Sequence, residues 1–165
     1  MQDRIDRILA QWRRERPDLE TRPMGLVGRI QRAAAALRPR LDETHDASGL
    51  HGESFDVLAS LRRSGLPYQL SPTQLYREMM LTSGAMTNRI DRLEEAGLVA
   101  RRPDPEDRRG TLVRLTAKGK ALIDTATTKH VANEDRLLES LTAREQQQLS
   151  DLLRKLLLSL GDTGE

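Results

Sequence analysis

The sequence predicts a mainly α-helical protein that carries one small β-hairpin. Leucine supplies 27 of the 165 residues and only four residues are aromatic, so we expect an aliphatic and helical core. Apolar residues recur at helical spacing over most of the chain. Only residues 98–102 and 111–115 form β-prone runs, and the turn-rich segment PDPEDRRG joins them. A chain of this length is expected to form one domain, residues 1–165.

Composition excludes several classes of protein. No segment approaches the ~18 consecutive apolar residues of a transmembrane span, and the charged N-terminal stretch lacks the apolar block of a signal peptide. The chain has no cysteine, which excludes disulfides and thiolate metal sites. We therefore expect a soluble, cytoplasmic protein that does not associate with membranes.

The basic residues are strongly biased toward arginine. Of the 27 basic residues 23 are arginine, the side chain best suited to bidentate contacts with phosphates and base edges. A GC-rich genome produces the same bias without any function. The positions of the arginines must therefore decide between the two interpretations.

Apolar spacing predicts three helices in the first part of the chain, over residues 5–14, 24–42 and 55–63. Pro39 falls inside the second helix and is expected to kink or fray it. The segment GLHGES is expected to form the loop before the third helix, with Ser54 as a possible cap.

Two short helices joined by a turn are predicted next. Ser71 caps the first, with Pro72 at its first helical position, and Thr82 is a plausible cap for the second, which Gly97 ends. The β-hairpin follows immediately, like a wing. This order predicts a winged helix-turn-helix over residues 53–115. The inward face of the second short helix consists of Met86, Ile90 and Leu93.

The last part of the chain is predicted to form two helices. Thr116 caps one, and Thr142 with Glu145 forms a capping box at the start of the other. The final helix carries a wide apolar stripe with no further domain to cover it, and a second copy of the chain is the simplest partner. The stripe consists of Leu149, Leu152, Leu153, Leu156, Leu157 and Leu160.

The block from Leu75 to Leu122 resembles the winged helix-turn-helix of the MarR family of transcription regulators. The most telling segments are SGAMTNRIDRLEEAGLV, the hairpin segment DPEDRRG and VRLTAKG, which occur in the family's order and spacing. The resemblance implies a homodimer whose helices in residues 1–45 and 116–165 interlock. It also implies two winged heads that bind a palindromic site on double-stranded DNA.

Residues suited to DNA contact cluster on the second short helix, the hairpin tip and the start of the first short helix. Polar side chains on the helix can bond base edges and phosphates, and hairpin arginines can enter the minor groove. Asp107 is expected to orient Arg109, which matches the family's minor-groove arginine. The predicted DNA contacts are Ser71, Thr73, Gln74, Ser83, Thr87, Asn88, Arg89, Arg92, Arg108 and Arg109.

A narrower resemblance concerns a small-molecule effector. The PecS-like, urate-responsive branch of the family has an extra N-terminal helix with a tryptophan, an aspartate before the helix-turn-helix and two arginines. The matching positions are Trp12, Asp56, Arg89 and Arg101. A flat anionic purine could stack on the indole and bind a guanidinium, and Asp56 could pair with Arg101 in the free state.

Other interpretations of these four residues stay open. The effector could be another small anion or an aromatic acid, or there could be none. Trp12 could be a core side chain, Asp56 a surface carboxylate and Arg101 a phosphate contact.

Nothing in the sequence indicates catalysis. His45 and His51 fall in a predicted loop and His130 on a helix, without metal-ligand spacing, and no phosphate-binding loop or serine nucleophile motif occurs. We expect no cofactor and no enzyme activity. The predicted function is a sequence-specific DNA-binding transcription regulator, a repressor released by a small anionic ligand. The alternative is a protein-interaction module that keeps this fold.

Overall fold

A computed structural model describes residues 2–79, 83–107 and 109–163, except for the side chains of residues 83–85. The predicted fold class is confirmed, because most of the described chain is helical and three short strands form one antiparallel sheet. The elements are α1 (Arg4–Glu15), α2 (Arg22–Asp46), α3 (Gly52–Arg63), β1 (Gln69–Leu70), α4 (Pro72–Met79), α5 (Ser83–Glu95), β2 (Val99–Pro103), β3 (Thr111–Leu115), α6 (Ala117–Leu137) and α7 (Ala143–Ser159).

Side chains that were predicted as caps begin three of the helices. The backbone N–H of Gln74 donates to Ser71 Oγ over 3.2 Å at the start of α4. Thr116 accepts from the backbone N–H of Gly119 at the start of α6. Thr142 and Glu145 form the predicted capping box before α7. Each cap satisfies N–H groups that have no partner within the helix. The predicted cap at position 82 lies outside the described residues.

The structure corrects two predicted boundaries. Helix α2 continues through Pro39 to Asp46, because its packing against α3 and α6 outweighs the one hydrogen bond that proline removes. Helix α3 begins at Gly52 with His51 as its N-cap residue, so Ser54 lies inside the helix and does not cap it. Strand β1 was not predicted, since two residues are too short to show an alternating pattern.

The sheet and four helices enclose the main core. The strand order is β1-β3-β2, and β2 pairs with β3 from Val99↔Leu115 to Pro103↔Thr111. Apolar side chains of α3, α4, α5 and α6 pack against this sheet, as predicted for a helix-turn-helix with a hairpin. The fully buried members include Leu58, Leu61, Leu75, Met86, Ile90, Val99, Val113 and Ile123.

Helix α6 approaches the start of the hairpin very closely. A Cβ atom added to Gly119 would lie 1.9 Å from the carbonyl oxygen of Leu98. The same oxygen accepts a hydrogen bond of 3.1 Å from the backbone N–H of Thr116, whose hydroxyl donates to the neighbouring Gly97 carbonyl oxygen over 2.8 Å. Helix α6 is thereby bound at its first turn to the base of the wing.

The two ends of the chain lie outside the main core. Helix α1 runs antiparallel to the first half of α2, with Ile5 beside Gly28 and Leu9 beside Gly25. Helix α7 has no buried residue, and its leucines other than the half-buried Leu153 are exposed to solvent in the single chain. Within the described ranges no helix is both long enough and apolar enough to span a bilayer.

Candidate DNA-binding surface and effector cleft

Helix α5 divides into an apolar face and a polar face, as the sequence predicted. Met86, Ile90 and Leu93 are buried, whereas Thr87, Asn88 and Arg92 are exposed. The exposed face lies beside the hairpin, so its amide, hydroxyl and guanidinium groups are free to meet a DNA groove. The side chain of residue 83, the other predicted member of this face, lies outside the description.

Arg89 is oriented differently from the rest of the predicted DNA-contacting residues. Its Nε donates to Glu53 Oε2 over 3.0 Å, and its Nη2 lies 2.7 Å from Glu53 Oε1. The arginine side chain is only 13% exposed, although that of Glu53 is 65% exposed. In this conformation Arg89 faces the start of α3 instead of flanking the groove-facing set.

The predicted phosphate-contacting residues lie at the start of α4. Thr73 and Gln74 are exposed, and Ser71 is half-buried. Gln74 Oε1 accepts from the backbone N–H of Ser71 over 2.8 Å, which completes a reciprocal cap. Because this cap occupies Ser71 and Gln74, Thr73 has the freest side chain of the three for a phosphate contact. Their DNA contacts stay predictions.

Asp107 organises the wing through its backbone contacts. Its Oδ1 accepts from the backbone N–H of Arg109 over 2.9 Å, and its carbonyl oxygen accepts from the N–H of Gly110 over 2.8 Å. The carboxylate therefore shapes the turn that presents Arg109, instead of orienting its guanidinium directly. Arg109 itself is exposed. Residue 108, the other predicted wing arginine, lies outside the described residues.

Arg101 does not pair with Asp56, so this part of the predicted effector site is wrong for the free state. Its guanidinium forms ion pairs with Asp91 and Glu94 on α5. Glu94 Oε1 also accepts from the Arg101 backbone N–H over 2.8 Å. Hydrogen bonds to the side chain of Asp91 are the main reason why the pKa of Arg101 is raised. Two carboxylates on the adjacent helix thus hold this arginine.

Asp56 lines a cleft of about 490 Å³ where the end of α2 meets α3 and α6. Burial raises the pKa of Asp56 above its usual value, and the nearby charges of His45, Arg38 and Arg89 oppose that rise. Arg89 reaches the edge of this cleft through Glu53, which is its ion-pair partner and lines the cleft with Asp56. The cleft is lined by Arg38, Leu41, Asp42, His45, Asp46, His51, Gly52, Glu53, Asp56, His130 and Glu134.

Two imidazole rings, those of His45 and His130, line one wall of this cleft and pack with the ring of Phe55, a cluster that the sequence did not reveal. The His45 ring lies 4.2 Å from that of Phe55 and 5.0 Å from that of His130. His45 Nε2 and His130 Nδ1 are 3.0 Å apart, and His130 Nε2 lies 3.2 Å from Glu134. His45 is buried on α2, not in a loop, and burial with neighbouring His130 lowers its pKa.

Trp12 lies far from this cleft within one chain. Since α1 runs antiparallel to α2, Trp12 near the end of α1 lies beside the start of α2, whereas the cleft lies at the other end. Some twenty residues of α2 separate the two places, or about 30 Å of helix. The side chain of Trp12 is 39% exposed. A pocket made by Trp12, Asp56, Arg89 and Arg101 of the same chain is therefore not formed.

Glu53 is a further residue at this site that the sequence did not reveal. It carries no motif of its own, and only the helical register that places it three residues before Asp56 could have pointed to the same face. In the part of the chain that the structure describes, no cluster of three metal-ligating side chains occurs.

Comparisons with known proteins agree with this geometry. The family model described as "MarR family" matches residues 48–110. The HTH-type transcriptional regulator PecS of Dickeya dadantii is 39% identical over 149 residues, which cover 90% of each protein. A MarR family transcriptional regulator from Streptomyces coelicolor has a TM-score of 0.74 and 29% identity, over 87% of this chain and 99% of the other.

A further solved structure contains DNA. A mutant of MarR from E. coli, complexed with operator DNA, has a TM-score of 0.71 and 29% identity, over 83% of this chain and 97% of the other. The identity to PecS over nearly the whole chain confirms the resemblance that the helix-turn-helix and wing residues predicted. The chain belongs to the MarR family and is a DNA-binding transcription regulator, not an enzyme.

Proposed function

We propose that the chain acts as a homodimeric repressor that binds a palindromic operator and is released by a small anionic ligand such as urate. The observation that carries the DNA-binding mode is the exposed face of Thr87, Asn88 and Arg92 on α5, next to the wing that presents Arg109. Two such heads related by a two-fold axis would read two half-sites of equal sequence.

The leucines of α7 support the homodimer. In the single chain Leu152 is 67% and Leu160 is 74% exposed, and three other leucines of the stripe, Leu149, Leu156 and Leu157, are 38% to 48% exposed. Their exposed fractions amount to nearly three complete leucine side chains, or about 5 kcal/mol of apolar burial per protomer if a partner covers them. A second copy of the chain carries the same stripe, so contact between the two stripes buries both of them at once.

A pair of charge variants tests the dimer. Replacing Leu152 and Leu156 together by glutamate is expected to give monomers or unfolded chains in sedimentation equilibrium, because two charges would be buried without partners. The control is Arg154→Glu, which changes the net charge by the same amount but on the opposite face of α7. A wild-type protein that is monomeric at micromolar concentration contradicts the proposal.

The cleft beside Asp56 is the proposed effector site. Its volume suits a small planar ligand, and the imidazole rings of His45 and His130 line one wall. Burial raises the pKa of Asp56, because the charged form of this carboxyl is poorly solvated there. Arg38 lines the cleft, and Arg89 is held at its edge by Glu53. Another aromatic anion would satisfy the same groups.

Titration with urate tests the effector with two readouts, operator release and the fluorescence of Trp12. The chain has one tryptophan, so the optical signal has one source. Urate in the cleft of a lone chain would lie too far from that indole to quench it by contact. Quenching together with release therefore requires a contribution from the second copy. Release without quenching excludes Trp12 from the site. If urate causes neither quenching nor release, urate is not the effector.

A further inference from the structure

The ion pair between Glu53 and Arg89 joins the helix that borders the cleft to the helix that reads DNA. Glu53 lies in the first turn of α3 and lines the cleft, whereas Arg89 lies in the middle of α5. Both guanidinium contacts go to the same carboxylate, at 3.0 Å from Nε and 2.7 Å from Nη2. Such two-point contacts fix the orientation of the arginine as well as its position.

Burial distinguishes this ion pair from the other ones. The Arg89 side chain is 13% exposed, whereas the other ion-paired arginines in the described part of the chain are 32% to 77% exposed. A solvent-exposed ion pair contributes little, because water and salt replace the lost partner. Loss of the Glu53 carboxylate would instead leave a guanidinium that is largely withdrawn from water and has lost its hydrogen-bonded carboxylate partner.

We propose that Glu53 is a positioning residue for DNA binding, which holds α5 through Arg89 and competes with an anionic effector for that arginine. The first part needs only the geometry of the free chain. The second part rests on the effector site proposed above. Asp56 follows Glu53 by three residues on the same helix, so an anion beside Asp56 arrives next to the Glu53–Arg89 contact.

Competition for one guanidinium has a consequence that ordinary structural damage lacks. When an anion binds Arg89, the arginine loses Glu53, and α5 loses this ion pair to α3 although the apolar packing between the two helices remains. Arg89 therefore supports DNA binding when it pairs with Glu53 and effector binding when it pairs with the anion. Removing the Glu53 carboxylate should weaken the operator complex and strengthen the complex with the anion, whereas a misfolded site would weaken both.

The variant Glu53→Gln tests both parts, because it keeps the length of the side chain and removes only its charge. Operator affinity, measured by fluorescence anisotropy on the full-length protein, is expected to fall about tenfold. Urate affinity, measured by calorimetry without DNA, is expected to rise several-fold. Hypoxanthine, a neutral purine, should gain nothing, since it does not compete as an anion.

The matched control is Glu95→Gln, which removes the same charge from an exposed position on α5. Loss of a negative charge near DNA should leave operator affinity unchanged or raise it slightly. The result expected for Glu53→Gln therefore has the opposite sign to a general charge effect.

A double-mutant cycle identifies Arg89 as the route. Added to Arg89→Gln, the Glu53→Gln change is expected to cause no further loss of operator affinity. The positioning role is overturned if Glu53→Gln binds the operator with wild-type affinity. It is also overturned if Glu53→Gln causes a full tenfold further loss in the Arg89→Gln background. Weaker urate binding by Glu53→Gln overturns the competition. If wild-type protein binds no urate, the competition and the proposed effector both fail, while the operator arm decides the positioning role separately.

Discussion

Replacing Gly119 by alanine is expected to destabilise the protein at the contact between α6 and the wing. The new Cβ would lie 1.9 Å from the Leu98 carbonyl oxygen and 2.9 Å from its carbonyl carbon, and both atoms belong to the backbone. A side-chain rotation cannot relieve such a contact. The two backbones must separate by roughly 1 Å before the methyl group fits. That movement strains the hydrogen bond from the Thr116 N–H to the same oxygen.

The size of the loss follows from these contacts. Overpacking costs about 2 kcal/mol, and the strained hydrogen bond from the Thr116 N–H costs about 1 kcal/mol. The higher helix propensity of alanine returns about 1 kcal/mol. The net loss in the free energy of unfolding is therefore about 2 kcal/mol, which lowers Tm by about 6 °C for a chain of this length.

The assay is thermal unfolding followed by circular dichroism at one protein concentration, because Tm of a dimer depends on concentration. Gly28→Ala is the control, since Gly28 also lies inside a helix and gains the same propensity. Its Cβ would lie 3.0 Å from Ile5 Cδ1, the flexible end of a side chain that can rotate away. Equal Tm values for the two variants would refute the close approach of α6 to the wing.

The other predictions concern DNA contacts and one buried carboxyl. Arg109→Ala should weaken binding to operator and random DNA alike and reduce the salt dependence of the binding constant, because a wing arginine releases counterions. Asn88→Ala should weaken binding to the operator selectively, by about 1–3 kcal/mol, so equal losses on both DNAs would remove Asn88 from the reading set. Because burial raises the pKa of Asp56, the folded chain retains a proton that the unfolded chain releases above about pH 4. Asp56 thus lowers stability as the pH rises, and Asp56→Asn should raise Tm at neutral pH with little effect near pH 3.

Local signals account for the parts of the fold that the sequence predicted correctly. The caps at Ser71, Thr116 and Thr142 act within three residues, and the inward face of α5 follows from helical spacing. These features depend on neighbours in the chain. Strand β1 escaped prediction because its two residues form a strand only through pairing with Arg114 and Val113, which lie over forty residues away.

The choice among possible charge partners was the part that the sequence could not supply. From the sequence alone, several carboxylates could have paired with Arg101. The family resemblance pointed to Asp56. In the fold, β2 lies directly beside α5, so Asp91 and Glu94 reach Arg101 first. Arg89 likewise turned from the DNA-reading face to Glu53. Such choices depend on how helices approach each other, which periodicity does not contain.

The attachment of α6 to the base of the wing also determines how large a rotation of this helix is needed to release DNA. With 21 residues, α6 is a stiff rod about 31 Å long. If the head turns with this rod, a rotation of about 6° at its far end displaces the wing by about 3.3 Å, close to the axial step of one base pair. A small rearrangement of the helices at the far end of α6 can therefore shift a winged head out of register with its half-site.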